Sequence, residues 1–408
     1  MRLDIVCLSH LAFEQGLFQR PQHLASQFVA MGHRVRYLGL VGQGRVSELT
    51  KSGSLRGTIA PAGGGETSGW GIYEHLPFHP SVARLRSLRQ WWCARTVRQI
   101  LSRTQAPPGH HDGRFVPVTM IYHPELLELA EAAGVIGGAG RPGGEVPDPV
   151  VVYDIMDRFT AFGKSGEGTG TAEQHLIGKV ADLVVAGGWS LHGAAEVIAR
   201  DAGRTGLAPV RFPSAVDRAH FGRALDDATP VDPVLKSLQG PIAGYFGAVD
   251  ERMDWPLLVR LAREFVGGHV VLVGPVLVPP PGDLPANLHL VGPRPYGDLP
   301  GVLKAFSVAL IPFVRSALTD HISPTKAPEY LAGGCPVVSV AIPDVVRDWP
   351  GKITVAESQE DFVSAVIRQV AHPADRTEVA RWAEVWPTWT QIARDMERMI
   401  LDRWERNQ

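Results

Sequence analysis

The chain has 408 residues, 45% of them hydrophobic, with a formal net charge of −2. That length is too great for one core and implies two domains of about 200 residues each. The near-neutral balance describes an ordinary soluble globular protein and argues against nucleic acid as a main partner, which calls for a basic excess.

Taken in chain order, short runs rich in Val, Ile and Leu alternate with helical patterns. Strands are predicted at 4–8, 34–40, 116–122, 150–153 and 183–186 in the first half. Those of the second half are 242–246, 270–273, 288–291, 308–311 and 337–340. The runs are largely non-alternating, as strands buried on both faces are. Helices such as 22–31 and 255–264 complete a strand–helix–strand rhythm, which implies α/β architecture with parallel sheets. Of the cysteines, Cys7 and Cys335 fall in apolar segments and read as free core thiols of a reducing compartment, while no pair including Cys93 has metal-ligand spacing. The first strand pattern begins at once, so no leader is expected, and no apolar run approaches the roughly 20 residues of a membrane span. A cytoplasmic location is expected. Gly- and Pro-rich stretches at 137–149, 164–171 and 279–285 read as mobile loops, and 226–233 as a linker.

Several positions carry chemistry. The loop after the first strand holds His10, Arg20 and His23; a histidine at a helix start is more often a cap or surface group. Residues 83–101 carry five arginines with Trp91 and Trp92. They read either as a solvated helix lying on the domain, which the imperfect amphipathicity favours, or as a contact with an anionic bilayer. His123 follows the third strand. Asp154, Asp157 and Arg158 close the fourth, either as a catalytic cluster facing a cleft or as a helix cap with a salt bridge. In the second half, Gly247 ends a strand and lets a ligand approach the backbone, with Arg252 placed to clamp a diphosphate. Two further strands end in Gly-Pro, at Gly274 and at Gly292-Pro293; Pro293, Arg294 and Tyr296 either frame a base or form ordinary turns.

The most specific stretch is Ser323-Pro-Thr-Lys-Ala-Pro-Glu-Tyr-Leu-Ala-Gly-Gly-Cys-Pro-Val-Val-Ser339. It reads as a loop, a helix of about two turns capped by Thr325 or Ser323, a glycine stop and a buried strand. Lys326 and Glu329 share one helix face. A helix N-terminus with an adjacent lysine suits a phosphate, and a carboxylate one turn on can accept hydrogen bonds from sugar hydroxyls. A surface helix with an incidental ion pair is the plainer alternative.

The pattern Lys-x-x-Glu-Tyr-Leu-Ala-x-Gly-x-Pro-Val-Val resembles the donor-site signature of the retaining GT-B glycosyltransferases. Pro213-Ser-Ala-Val-Asp217 with Phe221 resembles the element that closes their N-terminal domain, lacking its Asn-Gly. Gln19-Arg-Pro-Gln-His23 resembles an element of a bacterial cell-surface polysaccharide subgroup. The resemblance implies the GT-B fold: two Rossmann-like domains, 1–215 for the acceptor and 216–385 for the donor, with 386–408 as a helix returning to the first. It implies Glu329 as ribose ligand and Lys326, Arg252 and Gly247 around the diphosphate. The base would lie against the loops of Gly274, Pro293 and Arg294. Where relatives carry a second glutamate the chain has His321, which shifts attention to Thr319, Asp320 and His321, with Ser323 and Thr325 close by. Asp157 falls on the aspartate of a His-Asp pair whose histidine is replaced by Met156. Asp157, Arg252 and Lys326 are the implied catalytic groups. His10, Arg20, His23, His123 and Asp154 are candidates for the acceptor side.

The implied activity is metal-independent sugar transfer, with retention, from a UDP, GDP or dTDP sugar to a glycan, lipid-linked or small-molecule acceptor. No cofactor is expected beyond that substrate, and contact with the inner membrane face through 83–101 is in keeping with a lipid-linked acceptor. An epimerase of nucleotide sugars and a non-catalytic nucleotide-sugar-binding partner are the alternatives. A nicotinamide enzyme is disfavoured because no Gly-x-Gly-x-x-Gly follows the first strand.

Overall fold

The computed structural model describes residues 1–13, 18–41, 56–63, 67–77, 86–103, 115–137, 147–161 and 167–408. The chain divides into two compact units, Met1–Phe212 with Trp389–Gln408, and Pro213–Thr388. Unit 1 contains the strands β1 (Arg2–Ser9), β2 (Arg34–Val41), β3 (Arg56–Thr58), β4 (Trp70–Pro77), β5 (Phe115–Ile121), β6 (Val150–Ile155), β7 (Leu183–Ala186) and β8 (Val210–Arg211). Unit 2 contains β9 (Ile242–Phe246), β10 (His269–Val273), β11 (Leu288–Leu290), β12 (Val308–Ile311), β13 (Val337–Val340) and β14 (Thr354–Ala356). The helices that matter below are α1 (Arg20–Ala30), α2 (Arg86–Arg103), α3 (Leu127–Ala133), α4 (Trp255–Glu264), α5 (Lys326–Ala332) and α6 (Trp389–Asn407).

The sheet of unit 1 runs β3-β4-β2-β1-β5-β6-β7-β8, parallel except for the antiparallel β3–β4 edge. That of unit 2 runs β11-β10-β9-β12-β13-β14 and is parallel throughout. Each unit's first strand lies mid-sheet, with earlier strands ranked to one side and later ones to the other. Register follows: Leu8 of β1 stands beside Leu38 of β2 and Ile121 of β5. Such sheets bind ligands beyond the strand C-termini at the switch of direction. In unit 1 this is between β1 and β5, and in unit 2 between β9 and β12.

The central strands are buried on both faces, as Val-Val-Val-Tyr-Asp-Ile of β6 and Val-Ala-Leu-Ile of β12 illustrate. All ten predicted strands are present. β3, β4, β8 and β14 were not among them, because Trp-Gly-Ile-Tyr-Glu-His-Leu-Pro of β4 mixes polar residues into an apolar pattern and the others are only two or three residues long. Residues 167–171, read as loop, open the helix Glu167–His175; the neighbouring 162–166, most of the 137–149 stretch, and 83–85 lie outside the described residues. The 226–233 segment is no free linker. Lys304 Nζ donates to the carbonyls of Asp226, Asp227 and Thr229, and Asp232 caps the turn Pro233–Lys236.

α6 packs on α1, and buries Ile392, Met396, Ile400 and Trp404 at a spacing of four. Arg403 reaches Asp182 at 2.9 Å and Thr390 reaches Gln27 at 3.0 Å. In unit 2, Val216 N–H donates to Pro387 and Trp386 Nε1 to Ser214, so the segments bordering the division are tied together within that unit.

Candidate functional site

In unit 2, β9 is followed by Gly247 (φ 145°) and β10 by Gly274 (φ 154°), a backbone region that L side chains rarely adopt. Gly247 N–H donates to Val273 at 2.9 Å, and Gly274 N–H to Gly292 at 3.0 Å, so the strand ends form one tier. A Cβ on Gly274 would run into the Gly247 carbonyl. One on Gly247 would meet Tyr245 Oη and the Lys326 side chain, whose Nζ would lie 3.0 Å away. The bare backbone at β9 therefore faces the Lys326 ammonium.

Lys326 opens α5. Thr325 occupies the cap position but makes no side-chain cap hydrogen bond. Pro328, third in the helix, falls within the first turn, where its missing N–H has no intrahelical partner to lose. Gly333 and Gly334 end the helix, Gly334 N–H donating to Leu331 at 2.8 Å. Tyr330, fully buried, accepts the Phe246 N–H at 3.0 Å and so fixes α5 to the last residue of β9. Glu329 is 7% exposed on the same helix face as Lys326. Burial pushes its carboxyl up to about 8, against the pull of Lys326.

Other candidates in unit 2 have partners within the protein. Arg252 forks onto Asp250, Nη2 to Oδ2 at 2.6 Å and Nε to Oδ1 at 2.9 Å, with its guanidinium carbon 5.5 Å from the Phe313 ring centroid. Arg294 Nε donates to Asp232 at 2.7 Å, and Nη1 to the carbonyls of Val291 and Pro293 at 3.2 Å. Burial works against the Asp232 charge, but Arg294 and the amides of Leu235 and Val234 outweigh it and hold that carboxyl below its usual range. Pro293 is exposed. Tyr296, read as a base-framing ring, is stacked on His220 at 4.3 Å. Thr319 is buried, and its Oγ1 accepts the Ser316 N–H at 2.9 Å, shaping the turn Thr319–His321. Asp320 is exposed there, while His321, Ser323 and Thr325 are half-buried on the way into α5.

In unit 1, His10 follows β1 and His123 follows β5, the two strands that flank the switch point. Their ring centroids are 5.0 Å apart, with Phe159 at 5.1 Å from His10 and 4.2 Å from His123. His123 Nδ1 accepts the Glu125 N–H at 3.2 Å, which leaves the proton of a neutral ring on Nε2. The Nδ1 of His10 is buried without a hydrogen-bond partner among the described residues. Burial, with His123 adding to it, lowers His10 to about 3; burial lowers His123 to about 4 despite Glu125. Both imidazoles are neutral at physiological pH.

Arg20 and Asp154 are brought together as a buried pair, Nε lying 2.8 Å from both carboxylate oxygens, with Nη1 donating to Phe212 at 2.8 Å. Burial raises the Asp154 carboxyl and Arg20 draws it back. His23 stacks on Trp389 of α6 at 4.5 Å and 7°, with Phe18 edge-on at 4.7 Å. Asp157 is half-buried in the loop beyond β6, its carbonyl accepting the Phe159 N–H at 3.1 Å. Phe159 itself, and the buried Tyr153–Glu173 bond of 2.9 Å, were not singled out from the sequence; the rings of His10, His123 and Phe159 come from three separate segments and leave no local pattern. Among the described residues no cluster of three or more His, Cys, Asp or Glu suits a metal ion, and the three cysteines are free and buried.

No protein-family model matches the chain. Over 158 residues it is 21% identical to the Bacillus subtilis protein TuaH, whose name assigns it a glycosyltransferase role in teichuronic acid biosynthesis. That match spans 36% of this chain and 39% of TuaH. Among solved structures, the sucrose-phosphate synthase of Thermosynechococcus elongatus aligns with a TM-score of 0.66 at 14% identity, covering 98% of this chain and 99% of that one. The α,α-trehalose 6-phosphate synthase of Burkholderia multivorans aligns at 0.67 with 10% identity over 100% of both chains. Anabaena HepE in complex with UDP and glucose aligns at 0.63 with 13% identity, covering 98% of this chain and 100% of its own. These likenesses show the fold, the two parallel-sheet units of the GT-B architecture.

Proposed function

We propose that this chain is a glycosyltransferase. It moves a sugar from a nucleoside-diphosphate donor to a glycan, lipid-linked or small-molecule acceptor, without a metal ion and with retention of configuration. The observation that carries the reading is the convergence of Gly247, Lys326 and Glu329 at the C-terminal edge of the unit 2 sheet. A bare strand end admits a diphosphate to the backbone, an ammonium beside it meets the charge that grows on the leaving group, and a buried carboxyl one turn on takes the ribose hydroxyls. UDP is the first nucleotide to test among UDP, GDP and dTDP. HepE is similar to this chain and is complexed with UDP, and an E. coli trehalose-6-phosphate protein of the same fold is bound to UDP-2-fluoro glucose.

On the acceptor side, His10, His123 and Asp157 offer hydrogen bonds to hydroxyls at the switch point of unit 1. Imidazoles with pKa values of about 3 and 4 are poor general bases near neutrality. That supports transfer in which the departing diphosphate itself takes the acceptor proton and the protein contributes orientation and electrostatics. A cytoplasmic setting, at times against the inner face of the membrane, belongs to the same reading.

The test is calorimetric titration of UDP, GDP, dTDP and ADP into wild type and Glu329→Ala. One diphosphate should bind selectively, and the variant should bind it at least about tenfold more weakly, as loss of a hydrogen bond to a charged group does. Binding of none, or equal binding by the variant, removes the donor-site assignment. Release of the diphosphate only when acceptor is present separates transfer from epimerisation.

A further inference from the structure

α2 has two unlike faces. Cys93, Ala94, Val97 and Ile100 are buried in the core of unit 1, and the helix packs on α3. Outward stand Trp91 and Trp92, 55% and 46% exposed, with Arg95, Arg98 and Gln99 also exposed. The Arg95 guanidinium carbon lies 5.5 Å from the Trp91 ring centroid, so a cation sits against the indole. The sequence Arg-Ser-Leu-Arg-Gln-Trp-Trp-Cys-Ala-Arg-Thr-Val-Arg-Gln-Ile-Leu-Ser-Arg has five arginines and no acidic residue, in a chain whose net charge is −2. The positive charge is therefore concentrated on this helix and has no carboxylate on it to answer it.

Two adjacent exposed indoles and two exposed guanidinium groups on one face have a common partner in lipid. Indoles prefer the depth where headgroups meet acyl chains, and arginine stems lie along apolar surface while their heads meet phosphates. The geometry points to α2 as a peripheral docking surface for an anionic phospholipid bilayer, seated through Trp91 and Trp92 and held by Arg95 and Arg98. The inference is independent of sugar transfer: it concerns unit 1 alone and requires no nucleotide.

The test is co-sedimentation of the full chain with vesicles of phosphatidylcholine alone and of phosphatidylcholine mixed equally with phosphatidylglycerol. Wild type should pellet with the mixed vesicles only, and less so as salt rises. Trp91→Ser/Trp92→Ser should lower the partition coefficient by at least about tenfold on loss of two buried indoles. Arg95→Glu/Arg98→Glu should abolish the preference for anionic vesicles, since each basic residue near such a surface accounts for about a fivefold gain. These four side chains are exposed, so both variants should keep the wild-type melting temperature. Wild type left in the supernatant, equal pelleting by all three proteins, or equal pelleting on neutral vesicles overturns the proposal. So does a dimer in light scattering that Trp91→Ser/Trp92→Ser dissociates while vesicle binding is nil.

Discussion

The Glu329 carboxyl starts from 4.5 and is carried to about 8 in the folded protein, chiefly by burial. A folded-state value above the unfolded one means that its stabilising contribution is complete below about 4.5 and is lost as pH rises through about 8. Glu329→Gln keeps the shape and removes the titration. Its melting temperature should therefore exceed that of wild type at about pH 9, and the gap should close toward about pH 5. Hydroxyls that donate to Glu329 favour its ionised form, so nucleotide binding near neutrality should release up to about one proton. Calorimetry in buffers of different ionisation enthalpy reads this directly, and Glu329→Gln should show none. At Gly247, an alanine meets both a positive φ and Lys326; the expected cost is about 1–3 kcal/mol in denaturant unfolding, with nucleotide affinity reduced. Arg20→Ala leaves the Asp154 charge buried and unanswered, for an expected loss of about 3–5 kcal/mol, and adding Asp154→Ala should recover part of it. Lys326 and Glu329 were legible because their relation is local, three residues along one helix. The Arg20–Asp154 pair spans 134 positions and Arg294–Asp232 spans 62, and no spacing rule joins residues so far apart. The Arg252–Asp250 fork is only two residues long; it was within reach, since an aspartate two positions before an arginine commonly closes such a turn.

At the scale of elements, the strands that were legible are those buried on both faces, where a run of Val, Ile and Leu is itself the signal. β4 escaped because it includes Gly71, Glu74 and His75, and His75 is buried through a long-range bond, its Nε2 accepting the N–H of Phe13, 62 positions earlier, at 2.7 Å. α4 was legible to the residue because Asp254 caps it through the Leu257 N–H and Pro256 follows within the first turn. α5 was legible as a helix, but its attachment was not. The Tyr330 hydroxyl that holds it to β9 looks in sequence like one more apolar position. Tyr330→Phe leaves the buried Phe246 N–H without its acceptor, for an expected loss of about 1–3 kcal/mol. Nucleotide affinity should fall with it although residue 330 is fully buried, because Lys326 and Gly247 lose their common brace. Matched thermal melts and titrations of that variant would check both effects.

Across the whole molecule, the two groups of candidate residues belong to different units, Gly247, Lys326 and Glu329 to one and His10, His123 and Asp157 to the other. Nucleotide should therefore stabilise one unit selectively. In scanning calorimetry, UDP at about one hundred times its dissociation constant should add about 2.7 kcal/mol to the unfolding of unit 2, leaving unit 1 to melt where it did. A uniform shift of the whole profile would speak against that division of labour. Length and the strand–helix rhythm made the two-unit α/β plan legible from the start, whereas the return of the last helix to unit 1 was implied only by the family resemblance, since it rests on which faces meet in space. That return sets a timetable for birth on the ribosome. The face of unit 1 that α6 finally covers emerges early and stays bare while all of Pro213–Thr388 is translated. At about 5–20 residues per second this is a wait of roughly ten seconds or more, in which unit 2 can mature first although its codons come later, and the nascent first unit is a natural client for chaperones.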